Sequence, residues 1–267
     1  MADGVRHWNV RYLAHNRKGR PAIVLVPSEY GPNRPTPRLP LVICPHGRGV
    51  KPEGAASLWG NLPALGGFAV ICPGGRGRRT DLTSWGYPPQ IADLAKMPDI
   101  ANRTLNWLRI DDRKVYALGG SMGGQESLLL LGQFPKLLRG VAAFDSVTNF
   151  YRRYFDFAKT PRRKGLQAIA AFEVGGTPRT NPVGYVRRSP SHWTRDIAKS
   201  GVPLQMWWSL ADQIVIDQAR QSAHFFAALK KLKPKGRLDA VTGFWLHSVQ
   251  MRQQIPDALR FLGLLDE

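Results

Sequence analysis

Six near-continuously apolar runs of strand length recur along the chain, separated by segments with helical spacing. That alternation restricts the fold more than any other feature. The runs are "AIVLVPS" (22–28), "LPLVICPHG" (39–47), "FAVICPGG" (68–75), "KVYALGGS" (114–121), "GVAAFDS" (140–146) and "PLQMWWSLAD" (203–212). Strands buried on both faces read as unbroken apolar runs, and their alternation with helices predicts an α/β fold, a mainly parallel central sheet with helices on both faces. "RLDAVTG" (237–243) is a weaker last strand, and "HWNVRYLA" near the start fits an antiparallel edge. Helices are expected over 55–65, 99–109, 123–133, 214–232 and 249–265. In "DIANRTLNWL", Ile100, Thr104, Leu105 and Leu108 recur at helical spacing.

One stretch breaks the alternation. Residues 150–197 are basic, aromatic and proline-bearing, and about 45 residues are too few to build a core alone. They read as a helical insertion, or lid, after the sixth strand. With no internal repeat or low-complexity linker, residues 1–267 are expected to form a single domain.

Composition narrows the function. No run approaches the ~20 apolar residues that cross a bilayer. The N-terminus lacks an apolar segment with a small-residue cleavage site, so a cytoplasmic location is expected; a secreted form with its signal removed would read the same. The formal net charge is +19, which raises the question of nucleic acid. The basic residues are scattered, with short clusters at "RGRR" (76–79), "YRRYF", "PRRKG" and "KKLKPKG" and no recognition motif. No specific nucleic-acid partner is therefore expected, only a bias toward anionic surfaces or substrates. Cys44 and Cys72, at the ends of matching apolar runs, read as core residues. The six histidines show no metal-ligand spacing, and "GGRGRR" lacks the lysine and spacing of a phosphate loop. Neither a metal nor another cofactor is expected, and the oligomeric state is not legible.

The chemistry centres on "YALGGSMGGQESLLLL" (116–131), where Gly119, Ser121 and Gly123 form Gly-x-Ser-x-Gly between an apolar strand and a leucine-striped helix. A serine at such a turn is strained, and small neighbours let strand and helix approach closely. The turn would expose the Ser121 hydroxyl and aim the Met122 backbone N–H at a developing oxyanion. "PHGRG" follows an earlier strand and offers a second such N–H at Arg48, with His46 holding the loop. "WWSLADQIV" places Asp212 after a late strand, where it can hold a histidine tautomer or cap a following helix. "VTGFWLHSV" supplies His247 after the last strand as a general base. Asp145, closing the strand after the serine, is a rival acid or a partner for loop backbone. Trp85, Tyr87, Phe150 and Trp245 are expected where loops overhang the serine and would offer an apolar surface to an aryl or long acyl group. Arg76, Arg78 and Arg79 either face that mouth or are solvated.

The order Ser121, Asp212, His247 on this alternation resembles the α/β-hydrolase superfamily, over nearly the whole chain from Ala22 to Leu265. "GGSMGG" followed by "YVRRSPSHWTRDIAKSGVPLQMWWSLADQIV" resembles more narrowly the catalytic domain of prolyl-oligopeptidase-type serine peptidases and their esterase relatives. There a Tyr/Arg/Ser-Pro segment, here Tyr185, Arg188, Ser189 and Pro190, precedes a helix, a strand and the acid-bearing loop. No propeller segment precedes the elbow in this sequence. "GxSMGG" also occurs in polyester hydrolases and cutinase-like enzymes. The resemblance implies Ser121 as nucleophile, Asp212 as acid and His247 as base, with Arg48 and Met122 as oxyanion donors. It implies a carboxylesterase acting on a small or oligomeric ester. The alternatives are a peptidase or acylaminoacyl hydrolase and, from another class, a basic binding protein without the chemistry.

Overall fold

Two-residue alternation in the apolar runs divides the core into two layers, one on each face of an eight-stranded sheet. Residues 4–34, 36–159 and 164–266 are described in the structure, a computed structural model. The strands are β1 (Val5–Leu13), β2 (Gly19–Pro27), β3 (Arg38–Ile43), β4 (Ala69–Pro73), β5 (Arg109–Gly120), β6 (Gly140–Phe144), β7 (Leu204–Ser209) and β8 (Leu238–Gly243). They are ordered β1-β2-β4-β3-β5-β6-β7-β8. β1 pairs antiparallel with β2, and β2 with β4; every other pairing is parallel. The expected antiparallel edge and mainly parallel sheet are both present.

Leu41, Ile71, Ala117, Ala143 and Met206 point into one layer, and Val42, Val70, Leu118, Phe144 and Trp207 into the other. The first layer is closed by α3 (Pro88–Ala95), α4 (Met97–Thr104), α5 (Met122–Gln133), α9 (Thr194–Lys199) and α10 (His224–Lys231). The second is closed by α1 (Pro52–Ala56), α2 (Leu62–Gly66) and α11 (Met251–Leu262). Cys44 and Cys72 are buried free thiols in the second layer, as read from the sequence. Among the described residues, no helix is long and apolar enough to cross a membrane.

Three expected helices are redrawn. The helix expected over 99–109 is α4, which ends at Thr104; Ile110 already pairs with Leu39 in β5 and donates its N–H to Asn102 Oδ1 at 2.9 Å. The helix expected over 55–65 is two short helices separated at Gly60, whose φ is 51°. The helix expected over 214–232 starts only with a π turn at Ala219–Ala223 that runs into α10. The Asp212 carboxylate binds the backbone of Ile214 and Val215 and so keeps the preceding segment a loop.

After β6 the chain forms α6 (Phe150–Ala158), α7 (Lys164–Val174) and α8 (Pro182–Arg187). Phe150, Phe157, Ala170, Val174 and Tyr185 from these helices build a third apolar cluster with Trp85, Met122, Val147 and Val215. The insertion thus packs on Met122, the residue after the elbow serine. Tyr185 lies at van der Waals range of the Phe150 and Tyr154 rings.

Candidate active site

The site grows from the end of β5. Ser121 has φ 58° and ψ −120° and donates its N–H to Phe144 O at 2.8 Å. A non-glycine residue in the left-handed region is strained, and such strain persists only where its surroundings over-determine it. Those surroundings are glycines. A Cβ on Gly119 would lie 2.6 Å from the Gly123 carbonyl carbon, and one on Gly124 2.1 Å from Ser146 Oγ. On Gly123 a Cβ would lie 2.1 Å from the Pro45 carbonyl oxygen. Strand, helix and the "PHGRG" loop are therefore in backbone contact.

That last contact seats the "PHGRG" loop, which carries Arg48, against the head of α5, which carries Met122. Met122 opens α5, where the first N–H groups have no intrahelical acceptor. Arg48 lines both cavities that reach Ser121. His46 holds the loop, as expected: its Nδ1 donates to Gly47 O at 2.7 Å and its Nε2 accepts the Gly75 N–H at 2.9 Å. Burial lowers the His46 pKa and favours the neutral ring that this pairing requires.

His247 follows β8 and Asp212 follows β7. Asp212 Oδ2 accepts the His247 Nδ1–H at 2.8 Å and the Gln218 Nε2–H at 3.0 Å. Its Oδ1 accepts the N–H groups of Ile214 at 2.8 Å and Val215 at 2.9 Å. Capping the loop and holding the histidine are thus carried by different oxygens of one carboxylate. Burial raises the Asp212 pKa, but the His247 hydrogen bond and charge, with the Gln218 and Ile214 donors, outweigh it and leave the carboxyl below its usual range. The anion therefore fixes Nδ1 as the donor, and His247 Nε2 is the free basic nitrogen. Nε2 is buried without a hydrogen-bond partner, and His247 lines the same cavity as Ser121.

Asp145, the rival acid, lies beside this pair. Its Oδ1 accepts the Ser209 N–H at 2.9 Å, its Oδ2 the Ser248 N–H at 2.8 Å, and the Trp245 indole N–H reaches Oδ2 at 3.0 Å. Burial raises its pKa, partly offset by the Ser248 and Ser209 donors; Asp212 raises it further and His247 lowers it. Asp145, Asp212 and His247 offer ligand atoms within 4.8 Å of one another. Both carboxylates are already filled with N–H donors, an arrangement that holds protein hydrogens and not a cation.

Of the four aromatic residues expected over the serine, Trp85 lines the smaller cavity beside it. The other three lie elsewhere. Phe150 is fully buried and stacks on Tyr185. Trp245 is buried and spends its indole N–H on Asp145. Tyr87 lies under the Arg188 guanidinium at 5.0 Å and lines a separate cleft with Arg78 and Asn181. Left-handed conformations at Trp85 (φ 42°) and Gly86 (φ 70°) turn the chain sharply between Trp85 and Tyr87. Arg76, Arg78 and Arg79 do not line either cavity at Ser121: Arg76 pairs with Asp81, and the backbones of Arg78 and Arg79 bind buried Glu173 of α7. Arg188 pairs with the same Glu173 at 3.3 Å.

Sequence reasoning missed Arg153. It is buried in α6, donates to Ile214 O, lies 4.4 Å over the Phe157 ring and lines the smaller cavity. The signal was present: Phe150, Arg153 and Phe157 share one helical face, on an otherwise basic segment.

A sequence model described as the prolyl oligopeptidase family matches residues 91–258. No curated protein sequence matches the chain. Among solved structures, an S-formylglutathione hydrolase from Agrobacterium tumefaciens superposes with a TM-score of 0.74 at 14% identity, over 100% of this chain and 98% of that one. An acylaminoacyl peptidase from Pyrococcus horikoshii gives 0.71 at 15% identity, over 97% of this chain and 42% of that one. An esterase from the archaeon Pyrobaculum calidifontis gives 0.70 at 15% identity, over 97% and 86%. These likenesses are of fold.

Proposed function

The chain belongs to the prolyl oligopeptidase family, a serine hydrolase with the α/β-hydrolase fold, and from that premise we propose that it is a carboxylesterase working through Ser121, His247 and Asp212. The observation that carries the proposal is the pinned imidazole. Asp212 holds Nδ1 at 2.8 Å and leaves Nε2 as a base at a cavity shared with a strained serine. Ser121 Oγ attacks the ester carbonyl as His247 Nε2 takes its proton, and the Met122 and Arg48 N–H groups receive the oxyanion. His247 then gives the proton to the departing alkoxide oxygen. Water, deprotonated by the same nitrogen, attacks the acyl-enzyme and releases the acid and free Ser121.

The ester reading is supported by the apolar side chains beside that base, Val50, Ala55, Leu58, Ile214 and Met251, which line the larger cavity at Ser121. The family match supports a second reading, a peptidase or acylaminoacyl hydrolase. A fluorophosphonate probe is expected to label the wild type and not Ser121→Ala; equal labelling of both sinks the nucleophile assignment. p-Nitrophenyl esters run beside aminoacyl p-nitroanilides separate the two readings, because an esterase leaves the anilides nearly untouched. No particular localisation is needed for either reading.

A further inference from the structure

Two cavities of very unequal size meet at Ser121. One, of about 360 Å³, is lined by Val50, Ala55, Leu58, Met251 and His247 among others. The other, of about 30 Å³, is lined by Trp85, Val147, Phe157, Leu166, Val215 and Arg153 among others. Ser121, Arg48 and Ile214 border both.

The reaction tells the two sides apart. A tetrahedral carbon on Ser121 Oγ carries three further substituents: the oxyanion, the leaving oxygen with its alcohol, and the acyl chain. The oxyanion is fixed by the Met122 and Arg48 N–H groups. The leaving oxygen must lie within reach of His247 Nε2, which protonates it. His247 lines the large cavity and not the small one. The alcohol therefore occupies the large cavity, and the acyl chain is left with the small one.

Size and polarity then define the substrate. A space of 30 Å³ holds about two water-sized groups, since one needs on the order of 10–15 Å³. It is lined by Phe157 of α6 and Leu166 of α7, and one wall is the buried Arg153, whose guanidinium is held between Ile214 O and the Phe157 ring. A longer alkyl chain would have to displace packed side chains and lie against a cation. The large cavity carries Val50, Ala55, Leu58, Ile214 and Met251, which reward an apolar alcohol. Resting on the esterase reading, we infer that this enzyme acts on esters of a short acyl group, formyl to propionyl in length, with a bulky apolar or aryl alcohol. The long acyl substrates expected from the sequence do not fit this division.

The experiment is a two-way ester panel on the full chain. Along the acyl axis, p-nitrophenyl acetate, butyrate and octanoate are expected to show kcat/KM falling at least tenfold from acetate to octanoate. Along the alcohol axis, methyl acetate is compared with 1-naphthyl acetate. Leu58→Trp is expected to lower the naphthyl-to-methyl ratio at least tenfold, and Leu166→Ala to raise the octanoate-to-acetate ratio by a similar factor. A flat or rising acyl series, or ratios unmoved in both variants, overturns the inference while leaving the esterase reading intact. Fluorophosphonate labelling of Ser121 with no turnover of any ester overturns the esterase reading itself, and this inference with it.

Discussion

The Asp145 carboxylate accepts the Trp245 indole N–H at 3.0 Å, a bond that ties the end of β6 to the loop that carries His247. The same carboxylate also takes the Ser248 and Ser209 N–H groups. Every group hydrogen-bonded to it is a donor. Asp145→Asn would turn an NH2 toward at least one of them, breaking a bond and leaving a buried donor unpaired, at about 1–3 kcal/mol. Because Trp245 and Ser248 flank His247, the expected result is a lower melting temperature and a fall in kcat of ~10- to 100-fold with KM little changed. Parallel melting curves and steady-state kinetics check both.

Asp212→Asn should behave differently. Its Oδ1 would still cap Ile214 and Val215, so the loop is kept, but an amide at Oδ2 favours the wrong imidazole tautomer. The expected loss is ~10⁴-fold in kcat, with a stability cost of about 1–3 kcal/mol because the new amide faces the buried Gln218 Nε2–H. Larger catalytic damage in Asp145→Asn than in Asp212→Asn would reverse the assignment of the acid.

Gly123→Ala tests how the oxyanion loop is seated. The new Cβ would meet Pro45 O at 2.1 Å and the Pro45 carbonyl carbon at 2.8 Å, both backbone atoms that cannot rotate away. The loop must retreat from the head of α5 and take the Arg48 N–H with it. Loss of one oxyanion donor is worth ~10²–10³ in kcat. Retention of full activity in the folded variant would show that Arg48 is not the second donor.

How much of this was legible follows from the range of the forces involved. The elbow at Gly119, Ser121 and Gly123 could be read because one of its steric demands, Gly119 against the Gly123 backbone, acts within five residues; the demand of Pro45 on Gly123 is long-range and only the fold shows it. The strands around it could be expected because buried parallel strands advertise themselves as apolar runs, whereas their order in the sheet is set by long-range pairing and was not legible. Tyr87, Phe150 and Trp245 could not be placed, because their directions depend on where distant partners sit: Arg188 for Tyr87, Tyr185 for Phe150 and Asp145 for Trp245. The helix expected over 99–109 overran for the same reason. Leu105 and Leu108 continue the apolar spacing, yet strand pairing at Ile110 with Leu39 ends the helix.

Glu173 gives a prediction about the insertion. Its carboxylate accepts the N–H groups of Arg78, Arg79 and Thr80 and the Thr80 hydroxyl, and it pairs with buried Arg188. It fastens α7 to the loop after β4. Glu173→Gln places amide hydrogens against backbone donors and leaves Arg188 without its counter-charge, a change expected to cost about 3–5 kcal/mol. Urea melts measure the loss, and amide exchange is expected to rise first over residues 76–80. Unchanged exchange there would mean the loop is held by other contacts.

Glu126 makes stability depend on pH in an uncommon direction. It is fully buried in α5 with the Ser84 hydroxyl as a donor, and burial raises its pKa from 4.5 to about 8 despite that bond. In the unfolded chain the group ionises near 4.5, so between 4.5 and about 8 the folded state holds a proton that the unfolded state has lost. Stability is therefore full below pH 4.5, falls as pH rises toward 8, and levels once both states are ionised. Glu126→Gln keeps an acceptor for Ser84 without the titration. Its stability relative to wild type should be near zero at about pH 4.5 and grow to on the order of 4–5 kcal/mol by about pH 8. Urea denaturation at about pH 5, 7 and 9 reads the difference directly. A constant offset across that range would mean that Glu126 finds a compensating charge and stays ionised in the folded protein.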